Sequence, residues 1–226
     1  KIMIHPDTFP FFRELAKHNN KEWFDANKKR YQEVRKHFIH FTEILINELA
    51  HMDPAIGYPN PKKCIFRINR DIRFSPDKSP YKTNMGAYIS EGGKNSFLPG
   101  YYIHIEPGNC FAAGGMYVPP SNLLKAIRNF IHEDPAHFRG IIEDEEFRKT
   151  FPELYGEKLK TAPRGFPKDD PDIDLLRYKS YTVFREINEQ VMTSPESLII
   201  LMETYKTMKP LNDFLREAIK SVSPPS

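Results

Sequence analysis

The stretch Tyr101-Tyr102-Ile103-His104-Ile105-Glu106-Pro107-Gly108-Asn109-Cys110-Phe111-Ala112-Ala113-Gly114-Gly115-Met116-Tyr117 decides the fold. Its two halves, Tyr101 to Glu106 and Cys110 to Tyr117, read as strands, and Pro107-Gly108-Asn109 is a link short enough for a hairpin. The period of two puts Tyr102, His104 and Glu106 on one face. Going outward, Gly86 to Ser90 and Ser180 to Ile187 read as further strands. Cys64-Ile65-Phe66-Arg67-Ile68-Asn69-Arg70 alternates in the same way.

On both sides of this block the period lengthens to that of a helix. Phe9, Phe12 and Leu15 mark a short helix. Val34, Phe38, Phe41, Leu45 and Leu49 recur every three or four residues, as one apolar stripe on a helix from about Lys21 to His51. Asn19 and Glu22 have the spacing of a capping box. Leu123, Leu124, Ile127, Phe130 and Ile131 share a helical face. Asp134-Pro135 and Asp170-Pro171 each start another helix, with Asp as cap and Pro in the first turn. Ser194-Pro195-Glu196 caps a C-terminal helix that Pro210 is expected to break. Helices segregated from hairpin-linked strands indicate α+β: a mainly antiparallel sheet with helices packed against it. The expectation is a single domain over residues 1–222 with a tail at 223–226, the long N-terminal helix covering one side of the sheet.

Composition narrows the class. The chain has 226 residues, 39% hydrophobic and 28% charged, and no apolar run approaches a membrane span. No signal peptide is expected from the N-terminal residues. Two cysteines, Cys64 and Cys110, make neither a disulfide framework nor a zinc site, which suggests a cytoplasmic protein with free thiols. The net charge of +3 does not by itself indicate a nucleic-acid binder.

That charge is not spread evenly. The segment Lys62 to Lys82 holds Lys62, Lys63, Arg67, Arg70, Arg73, Lys78 and Lys82 against only Asp71 and Asp77, so the remainder of the chain is slightly acidic. Extended geometry would put Cys64, Phe66, Ile68, Ile72 and Phe74 on one apolar face, with Arg70 among them. An arginine there requires a carboxylate or phosphate for its donors. Two readings follow: a buried ion pair, with Asp71 or a distant acid as partner, or an anion site in a cleft.

The run Arg70-Asp71-Ile72-Arg73-Phe74-Ser75-Pro76-Asp77-Lys78-Ser79-Pro80-Tyr81-Lys82 resembles the signature of a bacterial and fungal family, domain of unknown function 2461. Asn19-Asn20-Lys21-Glu22-Trp23-Phe24 with Tyr31 is also similar, as are Gly114-Gly115-Met116-Tyr117-Val118-Pro119 with Arg128, and Arg164-Gly165-Phe166-Pro167 with Lys179. The resemblance covers nearly the whole chain. It implies a single-domain protein and no particular activity.

Other motifs add chemistry. Ser75-Pro76-Asp77-Lys78-Ser79-Pro80 is either a constrained turn that cradles an oxyanion or plain turn chemistry. His104 beside Glu106 is the general-base candidate if it reaches the same cleft; otherwise the two decorate a strand surface. Ala112-Ala113-Gly114-Gly115 clears side chains from a strand for a ligand or a helix. Asp170, Asp172 and Asp174 begin like a calcium loop, but Leu175 stands where glycine is needed and Tyr181 where glutamate is. Helix capping accounts for Asp170 and the helix dipole for Asp172. Trp23, Asn27, Arg30 and Tyr31 either pack on the sheet or wall the cleft.

The first functional expectation is a cleft for a small phosphorylated or carboxylated ligand. It would be formed by Arg70, Asp71, Arg73, Asp77, Lys78, Tyr81 and Lys82, with Arg30, Tyr31 or Lys179 converging on it. A nucleic-acid module stacking bases on Trp23, Phe74 and Tyr81 comes second. A non-enzymatic interaction protein whose motif only stabilises the fold comes third. No cofactor or metal is implied, and the sequence is silent on oligomeric state.

Overall fold

The structure is a computed structural model, and residues 3–222 are described. The expected tail at 223–226 lies outside them. The chain is α+β: among the described residues it forms ten α-helices and one four-stranded antiparallel sheet, in the order β1-β2-β3-β4.

Helix α1, Thr8–Lys17, buries Phe9, Phe11, Phe12 and Leu15. The long helix expected from Lys21 onward is two: α2, Lys21–Ala26, and α3, Lys28–Met52. Asn27 divides them, its side-chain amide donating to the Trp23 carbonyl at 2.9 Å, a local bond that competes with helix continuation. The cap of α2 is Asn20, which accepts from the Trp23 amide, and not Asn19. The apolar stripe lies on α3 as read, with Val34, Phe38, Phe41, Leu45 and Leu49 buried.

The region after α3 departs further from the sequence reading. A 3-10 turn at Pro54–Ile56 is followed by helix α4, Pro61–Cys64, started by Asn60 as cap and Pro in the first turn. Cys64 is therefore helical. The strand expected over 64–70 shrinks to two isolated antiparallel bridges, Ile65 with Ala87 and Asn69 with Tyr81. The apolar face inferred for it does not form, because Phe66 and Phe74 are exposed.

Strands β1, Met85–Ile89, β2, Gly100–Ile105, and β3, Cys110–Met116, follow. The β2–β3 link closes where the Asn109 amide donates to the Glu106 carbonyl, forming the expected hairpin. Helix α5, Ser121–Glu133, precedes α6, Pro135–Ile142, whose cap is Asp134, as read. Then come α7, Glu145–Thr150, α8, Ile173–Leu176, strand β4, Tyr181–Ile187, and α9, Glu189–Met192. The last helix, α10, spans Ser197–Ile219 unbroken with Pro210 inside it. Proline removes one donor there, but Tyr205, Met208, Leu211, Phe214 and Leu215 are all buried, and that packing keeps the helix continuous. No helix among the described residues is long and apolar enough to cross a membrane.

The chain divides into two compact units. The first runs up to Ser96 and adds Tyr102–Ala112 and Glu186–Glu203. Its core joins Phe11, Phe12, Phe24, Phe38 and Ile103. The second holds Phe97–Tyr101, Ala113–Arg185 and the chain from Thr204 onward. In it, Phe214 packs on Phe130 and Phe138, and Tyr205 packs edge-on against Tyr101. The cleared strand at Ala113-Gly114-Gly115 serves a helix: a side chain on Gly114 would strike Met208 of α10. The Gly115 amide donates to the buried Asn212 side chain at 3.0 Å.

Gly115 also has φ +94°, and a methyl there would collide with the Tyr181 carbonyl oxygen. Gly115→Ala should lower stability by about 3 kcal/mol or more, since backbone strain and a backbone clash combine. Urea unfolding checks this; a loss below about 1 kcal/mol would contradict the close β3–β4 approach.

Candidate functional site

The site grows from a mismatch in pairing within the first unit. The Phe66 amide donates to the Gly86 carbonyl at 3.0 Å, and the Lys82 amide donates to the Ile68 carbonyl at 2.8 Å. Two steps along one segment, Phe66 to Ile68, thus face four along the other, Lys82 to Gly86. Three residues, Thr83-Asn84-Met85, thus face the single Arg67, an excess of two that forms an enlarged bulge. Bulges turn side chains out of the regular alternation, and this one opens a cleft of about 410 Å³ lined by Phe66, Arg70, Asp71, Lys82, Asn84 and Tyr102.

The loop from Arg70 to Ser79 forms the adjoining wall and is held internally. The Arg70 guanidinium donates to the Asp77 carboxylate at 2.8 Å, to the Ser79 carbonyl at 2.9 Å and to the Ser75 hydroxyl at 3.3 Å. Its backbone amide donates to the Pro80 carbonyl. Asp77 also accepts from the Ser79 amide and hydroxyl, an Asx turn. Arg73 makes a two-pronged contact with Asp71, at 2.9 and 2.7 Å. Lys78 donates to the Ile72 carbonyl at 3.0 Å. Hydrogen bonds from Ser79, then the charge of Arg70, hold the Asp77 carboxyl below its usual range; Arg73 does the same for Asp71.

Arg70 is therefore ion-paired, as one reading required, but not largely buried: its side chain is 26% exposed and that of Asp77 63%. The partner is Asp77 and not Asp71. The repulsion among Arg70, Arg73 and Lys78 is relieved inside the loop, which removes the electrostatic reason for a ligand at those three residues.

Lys82 differs. No carboxylate pairs with it among the described residues, and its ammonium stands 5.7 Å from the Phe66 ring centroid. Burial, then Arg67 and Lys94, push it below the ordinary lysine range. Its neighbour Tyr81 is fixed at both ends. The Asn19 side chain donates to the Tyr81 carbonyl at 2.8 Å and accepts from its amide at 3.1 Å. The Tyr81 ring stacks on Phe24 at 4.1 Å.

The other expected contributors have partners of their own. Arg30 is committed to Asp7 and Glu14, at 2.8 and 2.6 Å. Tyr31 packs on Phe11 and Phe24, and Trp23 on Phe11 and His18. Lys179 belongs to the second unit and pairs with Glu157 at 2.8 Å. Asp170, Asp172 and Asp174 pair with His132, Arg139 and Arg177. Helix α8 starts after Asp172, which makes no side-chain cap bond, while Asp170 accepts from the Asp172 amide at 2.8 Å in the turn that leads into the helix and also pairs with His132. Among the described residues no three His, Cys, Asp or Glu side chains gather as metal ligands.

On β2 the shared face is a chain of hydrogen bonds. The Tyr102 hydroxyl lies 2.8 Å from His104 Nδ1, and His104 Nε2 lies 3.0 Å from Glu106 Oε2. Glu106 also accepts from Thr83 of the bulge and from Asn109 of the hairpin turn. The His104 ring stacks on Phe111 at 4.6 Å. Burial alone would raise the Glu106 carboxyl, but its hydrogen bonds from His104, Asn109 and Thr83 outweigh it and the net shift is downward. Burial, then the charge of Glu106, pushes the Tyr102 phenol up to about 12. Gly86 makes room for that phenol: a methyl there would lie 2.6 Å from the hydroxyl oxygen. Tyr102, not His104, reaches the cleft.

A family model described as a conserved hypothetical protein, DUF2461, matches residues 7–214. The chain belongs to this family. No curated protein and no solved structure matches it. Sequence reasoning missed Asn84, Gly86 and Lys94, and named Arg67 only as one of the cationic cluster. Asn84 and Gly86 owe their places to the bulge, and Arg67 and Lys94 act on Lys82 by their charge, so none of the four leaves a local signal of its role.

Two outcomes follow. Arg70→Ala should cost about 1–2 kcal/mol in urea unfolding, the scale of a half-exposed charged hydrogen-bond set. A loss of about 3–5 kcal/mol would instead mark a fully buried pair. Glu106 is held below its ordinary value in the fold, so near pH 4 the unfolded chain binds more protons. Its stabilisation is present at neutral pH and is lost as pH falls through the lowered value. Glu106→Gln should flatten this acid-side dependence; an unchanged slope would contradict the hydrogen-bonded carboxylate.

Proposed function

We propose that this protein binds a small anion, phosphorylated or carboxylated, in the cleft between Phe66 and Tyr102, with Lys82 as its charge anchor. The observation that carries this reading is the isolation of Lys82. It is a partly buried cation with Arg67 and Lys94 nearby and no ion-pair partner among the described residues. A bound anion would relieve that repulsion and gain a charge-assisted hydrogen bond. Asn84 and the Tyr102 hydroxyl supply uncharged polar groups beside it. Asp71 is already bound by Arg73, which limits its repulsion of an anion.

The cleft's volume of about 410 Å³ lies within the range of small-molecule sites. Within this reading the Arg70–Ser79 loop is a scaffold. Arg70 braces the wall, and the Asn19–Tyr81 pairing sets the position of Lys82. The free buried thiols of Cys64 and Cys110 fit a reducing compartment such as the cytoplasm.

Titration with inorganic phosphate, followed by amide chemical shifts, tests the proposal. Shifts should concentrate at Phe66, Lys82, Asn84 and Tyr102, and Lys82→Gln should weaken binding about tenfold or more. Shifts confined to Arg73 and Lys78, or an unchanged affinity in the Lys82 variant, would refute it. Short oligonucleotides should bind no better than phosphate, without the steep salt dependence of a nucleic-acid groove.

A further inference from the structure

The hydrogen-bond arithmetic of the Tyr102–His104–Glu106 chain has a consequence for the ligand. Glu106 is a carboxylate and can only accept, so His104 Nε2 carries a proton toward it. A neutral imidazole then has Nδ1 as an acceptor, and that position takes the Tyr102 hydroxyl proton at 2.8 Å. In this state Tyr102 turns its proton away from the cleft and presents only oxygen lone pairs, which repel an anion. If Tyr102 turns its proton to a ligand, His104 Nδ1 loses its donor in a side chain only 12% exposed. A buried unpaired acceptor is unfavourable, and protonation of Nδ1 removes it by making a new donor to the Tyr102 oxygen.

We propose that the cleft takes up its anion together with one proton: Tyr102 donates to the ligand, His104 Nδ1 is protonated from solvent and donates to Tyr102, and Glu106 holds the resulting imidazolium. This rests on the anion-cleft reading and extends it to proton delivery. In the delivery step the Tyr102 O–H proton moves to a ligand oxygen while the His104 Nδ1 proton moves to the Tyr102 oxygen. The ligand gains one proton, His104 returns to neutral, and only O–H and N–H bonds change. The ligand class is an oxyanion with a basic oxygen, a phosphate ester or a carboxylate. Tyr102 is the catalytic residue; His104 and Glu106 are positioning residues.

The charges around the chain are of both signs. Titratable and charged groups are Glu106 immediately after β2, Lys82, Arg70 and Asp71 lining the same cleft as Tyr102, and Glu189, which accepts from the Gly108 amide at the hairpin turn. Thr83 and Asn109 contribute uncharged donors to Glu106, and β3 contributes the uncharged Phe111 ring. A bound anion beside the Tyr102 hydroxyl adds negative charge next to the chain and so favours a second proton on the imidazole. The phenol, pushed up to about 12, stays a donor throughout the neutral range.

Sulfate is the suitable probe because it has no titrating proton near neutral pH. Calorimetric titration of the full chain should be run at pH 7 to 8 in buffers of different ionisation enthalpy. Binding should take up about one-half to one proton per sulfate, and affinity should fall about three- to tenfold per pH unit. His104→Gln should retain Lys82-dependent binding with the uptake abolished. Tyr102→Phe should also abolish it, and it serves if the histidine variant does not fold. Sulfate binding that depends on Lys82 but has a buffer-independent enthalpy would overturn the proton coupling and leave the anion cleft standing. Absence of Lys82-dependent binding would overturn both.

Discussion

The mismatch between two paired segments sets the geometry of the site. Two steps from Phe66 to Ile68 face four from Lys82 to Gly86, and the hydrogen bonds at both ends fix that count. A regular ladder would alternate the side chains of residues 82–86 strictly between two faces. Lys82 and Asn84, which alternation alone would put on one face, line the cleft with Tyr102, and the excess chain brings Thr83, between them, to Glu106 of that same face. Gly86, at the end of the bulge, leaves the space that the Tyr102 hydroxyl requires. The cleft and the Thr83 bond to the end of the hydrogen-bond chain share one offset.

Charge in this region divides into two kinds. Arg70, Arg73 and Lys78 each find an acceptor within the loop that carries them. Such contacts on a half-exposed loop are individually weak and serve shape more than stability. Lys82 lies just beyond the loop, where the bulge begins, and has no such partner among the described residues. A dense cationic sequence thus yields a braced wall and, at its edge, a partly buried cation available to a ligand. Phe74, at 94% exposure, lies on this loop with Arg73 near its ring and belongs to neither the core nor the cleft.

The sequence made the fold legible where the signal was local. Pro107-Gly108-Asn109 between two alternating runs specifies a hairpin, and the Asp134-Pro135 cap specifies a helix start. It misled where a distant partner decided the outcome. Cys64 to Arg70 alternates like a strand, yet Asn60-Pro61 starts a helix there and the partner segment is too long to continue the ladder. Asn19 has the composition of a cap but is used across space on Tyr81. Pro210 is a helix breaker that the packing of α10 overrides. For the site, the Tyr102, His104 and Glu106 face was readable from a period of two. The choice among seven nearby cations was not, because their acceptors are set by the loop's folded shape.

The most direct test is a crystal structure of the full chain soaked in tungstate, a heavy analogue of sulfate and phosphate. An anomalous peak should appear between the Lys82 ammonium and the Tyr102 hydroxyl, within hydrogen-bond reach of both. A peak held by Arg73 or Lys78 on the outer loop, with nothing between Lys82 and Tyr102, would contradict the cleft and return the anion to the braced wall.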